Sequence, residues 1–203
     1  MSNNIKSHWG VELSPNFVEQ GSDTLAIILP GIAYTLDRVT LEYASELALK
    51  LGYDVARIEY GFQKARKGFD VPTEFDIAAN ETLAQIKSIL KPSYKKIIII
   101  AKSIGTCVQN VINKNLKEFD VTNVCISPIN KTVDMGIDKN ALIITGSSDP
   151  LLSKENIESL TASYGHNLIN FKRANHSLNI EKEPVKSLEI QIDVINIIEK
   201  FIK

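Results

Sequence analysis

Short, unbroken apolar runs alternate along this chain with longer segments in which apolar residues recur every three or four positions. The runs are Thr24–Leu29, Asp54–Tyr60, Lys96–Ala101, Val121–Ile126, Ala141–Thr145 and Leu168–Lys172. A strand with one wet face alternates polar and apolar residues, so continuous Ile/Val/Leu runs predict strands covered on both faces. A weaker run, His8–Leu13, predicts an edge hairpin paired antiparallel with Thr24–Leu29. The periodic segments predict helices. One is Thr40–Leu51, stopped by Gly52. Another is Thr73–Leu90, opened by Pro72-Thr73 with Asp76 three residues on and closed before Pro92. Ser153–Tyr164 runs from a serine cap to Gly165. In Val185–Lys203 the polar residues fall at 186, 189, 193, 196, 200 and 203. That spacing predicts a face of Leu188, Ile192, Ile195, Ile198 and Ile202 lying on a sheet, in preference to a face for a partner.

Six strand–helix alternations predict an α/β architecture: a doubly wound, mainly parallel sheet of six or seven strands with helices on both faces. No internal repeat, low-complexity tract or long linker interrupts it, so residues 1–203 read as one domain. A formal charge of −1, from 23 basic and 24 acidic residues, creates no field that would recruit nucleic acid or an anionic membrane. The two cysteines, Cys107 and Cys125, cannot build a four-ligand zinc site or a disulfide framework. Both lie in apolar runs and read as buried free thiols, which suits a reducing compartment. The opening MSNNIKSHWG carries no apolar stretch, and Leu25–Leu29 and Ile97–Ala101 fall far short of the ~20 residues of a membrane helix. The expectation is a cytoplasmic protein with no metal, cofactor, nucleic-acid or membrane partner.

The chemistry concentrates where the Lys96–Ala101 run passes through Lys102-Ser103-Ile104-Gly105 directly into a helical segment, Thr106–Leu116. A serine on so tight a strand-to-helix turn projects at the carboxyl edge of the sheet, and small residues must stand two positions away on either side. Ala101 and Gly105 satisfy that requirement. The competing reading is an ordinary serine helix cap. The segment resembles the nucleophile elbow of the α/β-hydrolase superfamily, Gly-x-Ser-x-Gly, with Ala101 in place of the first glycine.

The resemblance implies an acid after a later strand and a histidine after the last one. Asp149 follows the Ala141–Thr145 run in Gly-Ser-Ser-Asp-Pro, where Pro150 restricts it to extended backbone. Taken singly, it also reads as a turn former. His176 follows the Leu168–Lys172 run, whereas His8 precedes the serine and His166 sits at a helix end on the opposite edge. Asp134 and Asp138 precede the Ala141 run and belong to the wrong edge or to its approach. The implied triad is Ser103, Asp149 and His176. The oxyanion donors implied are the backbone N–H of Ile104 and an N–H in Leu29-Pro30-Gly31-Ile32-Ala33-Tyr34, at Ile32 in preference to Ala33. Pro30-Gly31 also reads as a plain turn.

Superfamily members that carry a cap domain insert it where this chain has only Ser127–Asn140, fourteen residues, so no cap domain is expected and the site should be shallow and open. A rim of Tyr34, Phe62, Lys64 and Arg66 is a candidate substrate contact, although Gly61–Asp70 reads first as a solvated charged loop. Lys102 either joins that rim or points away. The resemblance is to small, lidless members of the dienelactone-hydrolase or serine-esterase kind. It implies a serine hydrolase of small carboxylic esters or thioesters, acting through an acyl-enzyme without a cofactor. An acyltransferase using the same residues, or a non-catalytic binding or scaffold protein on the same fold, are the alternatives.

Overall fold

A computed structural model describes residues 5–203. The first four residues of the opening decapeptide, with the reading made of them, lie outside that range. Short strands β1 (Ile5–Lys6) and β2 (Glu12–Leu13) form a two-stranded antiparallel ribbon. The main sheet contains β3 (Asn16–Val18), β4 (Thr24–Leu29), β5 (Asp54–Arg57), β6 (Lys96–Lys102), β7 (Asp120–Ile126), β8 (Leu142–Gly146) and β9 (Leu168–Phe171). Its order is β3-β5-β4-β6-β7-β8-β9, and only β3 runs antiparallel.

The helices are α1 (Val39–Lys50), α2 (Gly61–Lys64), α3 (Val71–Lys87), α4 (Ile104–Asn113), α5 (Asn130–Met135), α6 (Lys154–Tyr164) and α7 (Pro184–Ile202). Alternate residues of β6 divide between two cores. Ile97, Ile99 and Ala101 pack with α3 and α4, while Ile98 and Ile100 pack with α1 and α7. All four isoleucines are fully buried, each worth about 1.5–3 kcal/mol relative to exposure. A smaller cluster of Cys125, Ile143, Leu152 and Leu160 lies under α6. Among the described residues no helix is long and apolar enough to cross a membrane.

The chain leaves β4 toward β5 on one side, then returns to place β6 on the other. This reversal opens a crevice at the carboxyl ends of β4 and β6, where doubly wound sheets bind their ligands.

Three sequence expectations need correction. His8–Leu13 does not pair with Thr24–Leu29. Glu12–Leu13 pairs with Ile5–Lys6, and the antiparallel edge strand is β3, hydrogen-bonded to β5. Helix α3 begins before Pro72, because a proline lacks only an N–H that the first turn would leave unpaired. Its N-cap is Asp70, whose carboxylate accepts from the Thr73 hydroxyl at 2.5 Å and whose N–H donates to Glu74 at 2.7 Å. On α7 the buried face is Ser187, Ile190, Gln191, Val194, Ile198 and Ile202, while Leu188 and Ile192 are exposed. Two polar residues sit on that face because each has a partner. Ser187 bonds Ile180, and Gln191 accepts from the Thr40 hydroxyl at 2.5 Å.

Candidate active site

Strand β6 hands directly to α4 through Ser103, whose backbone has φ 55° and ψ −121°. A non-glycine residue in that region carries strain of order 1–3 kcal/mol, which the surroundings must hold in place. Here the Ser103 N–H donates to Ile126 O at 3.0 Å, and its carbonyl accepts from the Thr106 N–H at 2.9 Å and hydroxyl at 2.6 Å. Gly105 shows why a small residue follows. A Cβ there would stand 2.6 Å from Pro30 O and 2.9 Å from Leu29 O, so any larger residue would drive α4 away from the end of β4.

The acid and the imidazole come from the loops after β8 and β9, beyond β7 in the sheet. Asp149 follows β8 in a turn closed by its N–H to Gly146 O at 3.1 Å. Its side chain is buried, with one carboxylate oxygen accepting from Leu151 N–H at 2.9 Å. The other lies 2.7 Å from His176 Nδ1, and His176 Nε2 lies 2.8 Å from Ser103 Oγ. A carboxylate only accepts, so the ring proton belongs on Nδ1, leaving Nε2 to accept from the serine hydroxyl. The loop bearing His176 is organised by Asn175, whose side chain accepts from the Ser177 and Asn179 N–H groups. That loop lies against the end of β8, where a Cβ on Gly146 would come within 2.6 Å of the Ala174 carbonyl carbon.

The loop after β4 meets the serine from the other side. A Cβ on Gly31 would stand 3.1 Å from Ser103 Cβ. Its carbonyls are held by side chains: Pro30 O accepts from Tyr60 Oη at 3.0 Å, and Gln63 Nε2 donates to Gly31 O at 2.8 Å and Ile32 O at 3.1 Å. Among the described residues neither the Ile32 N–H nor the Ile104 N–H donates a hydrogen bond. The first lies one residue beyond Gly31 and the second at the start of α4.

No protein-family model and no curated protein sequence matches the chain. Solved structures do. A protein of unknown function from Agrobacterium tumefaciens, provisionally described as an α/β hydrolase, superposes with a TM-score of 0.73 at 16% identity, covering 97% of this chain and 94% of that one. A serine hydrolase without a lid from Xanthomonas campestris gives 0.65 at 13%, covering 99% and 94%. A Pyrococcus furiosus esterase gives 0.64 at 19%, covering 98% and 90%. The chain has the lidless α/β-hydrolase fold.

Within this α/β-hydrolase fold, the 127–141 connection holds only the six-residue helix α5. An open groove of about 660 Å³ lies beside the histidine loop, lined by Ala33, Tyr34, Arg38, Ser177, Leu188 and Gln191, with neither Ser103 nor His176 in its wall. Of the expected rim, Tyr34 lines this groove, but Phe62 does not. It is buried, stacked on Phe69 at 4.2 Å between ring centroids and packed with Tyr60 and Trp9. Lys64 and Arg66 are exposed and stand outside the groove. The aromatic residues of Gly61–Asp70 thus build core, while Lys67 donates to Trp9 O at 3.1 Å and Asp70 caps α3. Lys102 neither joins the rim nor points away: it is fully buried, donating from Nζ to His176 O at 2.5 Å. Gln63, Gly146 and Asn175 also shape this candidate site, with no motif to mark them. Gly146 alone carried a signal, as a glycine ending a buried strand.

Proposed function

We propose that this protein is a serine hydrolase cleaving small carboxylic esters or thioesters, with Ser103 as nucleophile, His176 as general base and acid, and Asp149 orienting the imidazole. The observation that carries the reading is the continuous hydrogen-bonded series from Ser103 Oγ through His176 to the buried Asp149. A serine that merely caps a helix has no need of strained backbone or of an imidazole on its hydroxyl. The esterase and lidless serine hydrolase among the structural neighbours support the same chemistry.

In this mechanism Ser103 Oγ attacks the acyl carbon while its proton passes to His176 Nε2. The carbonyl π electrons move onto oxygen, and the oxyanion accepts from the Ile104 and Ile32 N–H groups. Collapse re-forms the carbonyl and expels the alcohol or thiol, which takes the proton from His176. Water then attacks the acyl-serine, giving its proton to His176. The second collapse releases the carboxylic acid and returns that proton to Ser103. Asp149 keeps its charge throughout and stabilises the imidazolium.

A fluorophosphonate probe tests this directly. Wild type should gain one adduct, on Ser103, and Ser103→Ala should gain none and lose turnover of p-nitrophenyl acetate while keeping its circular dichroism spectrum. A wild type that is neither labelled nor hydrolytic would return the chain to the scaffold reading. Product analysis with added alcohols separates hydrolysis from acyl transfer.

A further inference from the structure

We propose that Lys102 is a positioning residue of this site, its buried ammonium tying the strand that carries Ser103 to the carbonyl of His176 and offsetting the buried charge of Asp149. The proposal rests on the hydrolase reading above. A lysine at the carboxyl edge of a sheet has a stem long enough to carry its charge into water, as lysines ordinarily do. Lys102 instead turns beneath the site with no exposed surface, and its Nζ donates to His176 O at 2.5 Å. The same Nζ lies 5.0 Å from the centroid of the Tyr34 ring. Tyr34 belongs to the loop that carries Ile32, and its hydroxyl is 2.7 Å from that of Thr40. Thr40 in turn donates to Gln191, whose amide reaches Leu178 O at 3.2 Å, back in the histidine loop. The nucleophile strand, the oxyanion loop and the histidine loop therefore meet at one side chain.

The charge has its own consequence. Buried charges are retained where they are compensated. Two titratable side chains face Lys102, Tyr34 from the loop after β4 and Asp149 from the turn after β8, while the loop after β9 presents the His176 carbonyl. Asp149 is the charged group whose field acts on it among the described residues. With Lys102 protonated, the resting site is neutral, and it stays neutral when reaction adds an oxyanion and an imidazolium. Without Lys102, both states carry one uncompensated negative charge, which opposes the oxyanion and favours a proton on the imidazole. Desolvation lowers the Lys102 pKa to about 7 against the raising effect of Asp149, so the compensation is strongest below neutral pH.

Lys102→Met removes both hydrogen bond and charge, and Lys102→Gln retains an N–H donor without the charge. For both variants kcat should fall at least tenfold at pH 6.5 with KM within threefold, Lys102→Gln losing less. The gap to wild type should narrow as pH rises past 8 and wild-type Lys102 loses its proton. A second readout needs no turnover: the 15N imidazole titration of His176, assigned by its absence in His176→Gln. In both variants the ring should hold its proton to higher pH than in wild type. A shifted imidazole titration in a chain that no phosphonate labels would uphold the coupling while refuting the hydrolase reading. An unmoved titration, or a loss of kcat equal at every pH, would make Lys102 a packing element and overturn the proposal.

Discussion

Removing the charge of Lys102 should change how stability depends on pH, and the size of the effect follows from burial. The group has an ordinary pKa of 10.5 and is lowered to about 7 in the native state, first by desolvation, with Asp149 opposing. Below pH 7 the lysine is protonated in both states, and the native fold bears the full cost of burying an ammonium. Between pH 7 and about 10.5 the native state has released a proton that the unfolded chain still holds. Stability therefore rises with pH in that window, by about 1.4 kcal/mol per pH unit. Over pH 7 to 10 that amounts to roughly 4 kcal/mol. Lys102→Met, of similar length, lacks the contribution. Titrations not coupled to Lys102, such as those of the buried Tyr60 and Cys125, are common to both proteins and cancel in the difference. The assay is urea unfolding at half-unit steps of pH, followed by the fluorescence of the single, buried Trp9 and checked by far-ultraviolet circular dichroism. The wild-type stability minus that of the variant should climb by several kcal/mol across the window. Two parallel curves would refute the reasoning, since they would mean that Lys102 keeps its proton in the native state and is not desolvated.

Other expectations are simpler to check. Gly146→Ala should push the histidine loop off β8, costing about 1–3 kcal/mol of stability in thermal unfolding and on the order of 100-fold in kcat, because a Cβ has no room at Ala174. Gln63→Ala frees the Gly31 and Ile32 carbonyls and should lower kcat by about tenfold with a smaller change in KM, as expected for a donor that acts on the transition state; an unchanged kcat would show that the loop holds itself. Burial raises the pKa of Cys107 and pushes that of Cys125 up to about 12, so at pH 8 neither is a thiolate in the native state. Both should react with Ellman's reagent only on unfolding, and rapid reaction of the folded protein would contradict their burial. His8→Gln and His166→Gln should turn over esters near the wild-type rate, since neither ring approaches Ser103.

The sheet and its hydrophobic cover were legible in residue order because they rest on local periodicity. Five buried residues in a row, Ile97–Ala101, have no other stable use than a strand covered on both faces. The elbow was legible because Ala101, Ser103 and Gly105 keep a fixed spacing within five residues, although the wall that Gly105 meets is the distant end of β4. Contacts between distant segments left weaker traces. Phe62 looked like a rim residue because an aromatic in a charged loop gives no sign of the Trp9 and Phe69 rings that it packs against. The α7 face was misread because Ser187 and Gln191 are polar, and only partners on the loop before α7 and on α1 make their burial affordable.

Residue order by itself therefore determined that this chain forms a doubly wound α/β sheet, and which serine, aspartate and histidine stand at its carboxyl edge. Only the tertiary structure decided that the three meet within hydrogen-bonding distance, and that a lysine next to the serine turns inward beneath the histidine loop. The direction of a side chain at the end of a strand depends on which loops arrive above it. Those loops come from positions 31–34, 146–149 and 174–178, brought together only once the sheet has aligned its strands.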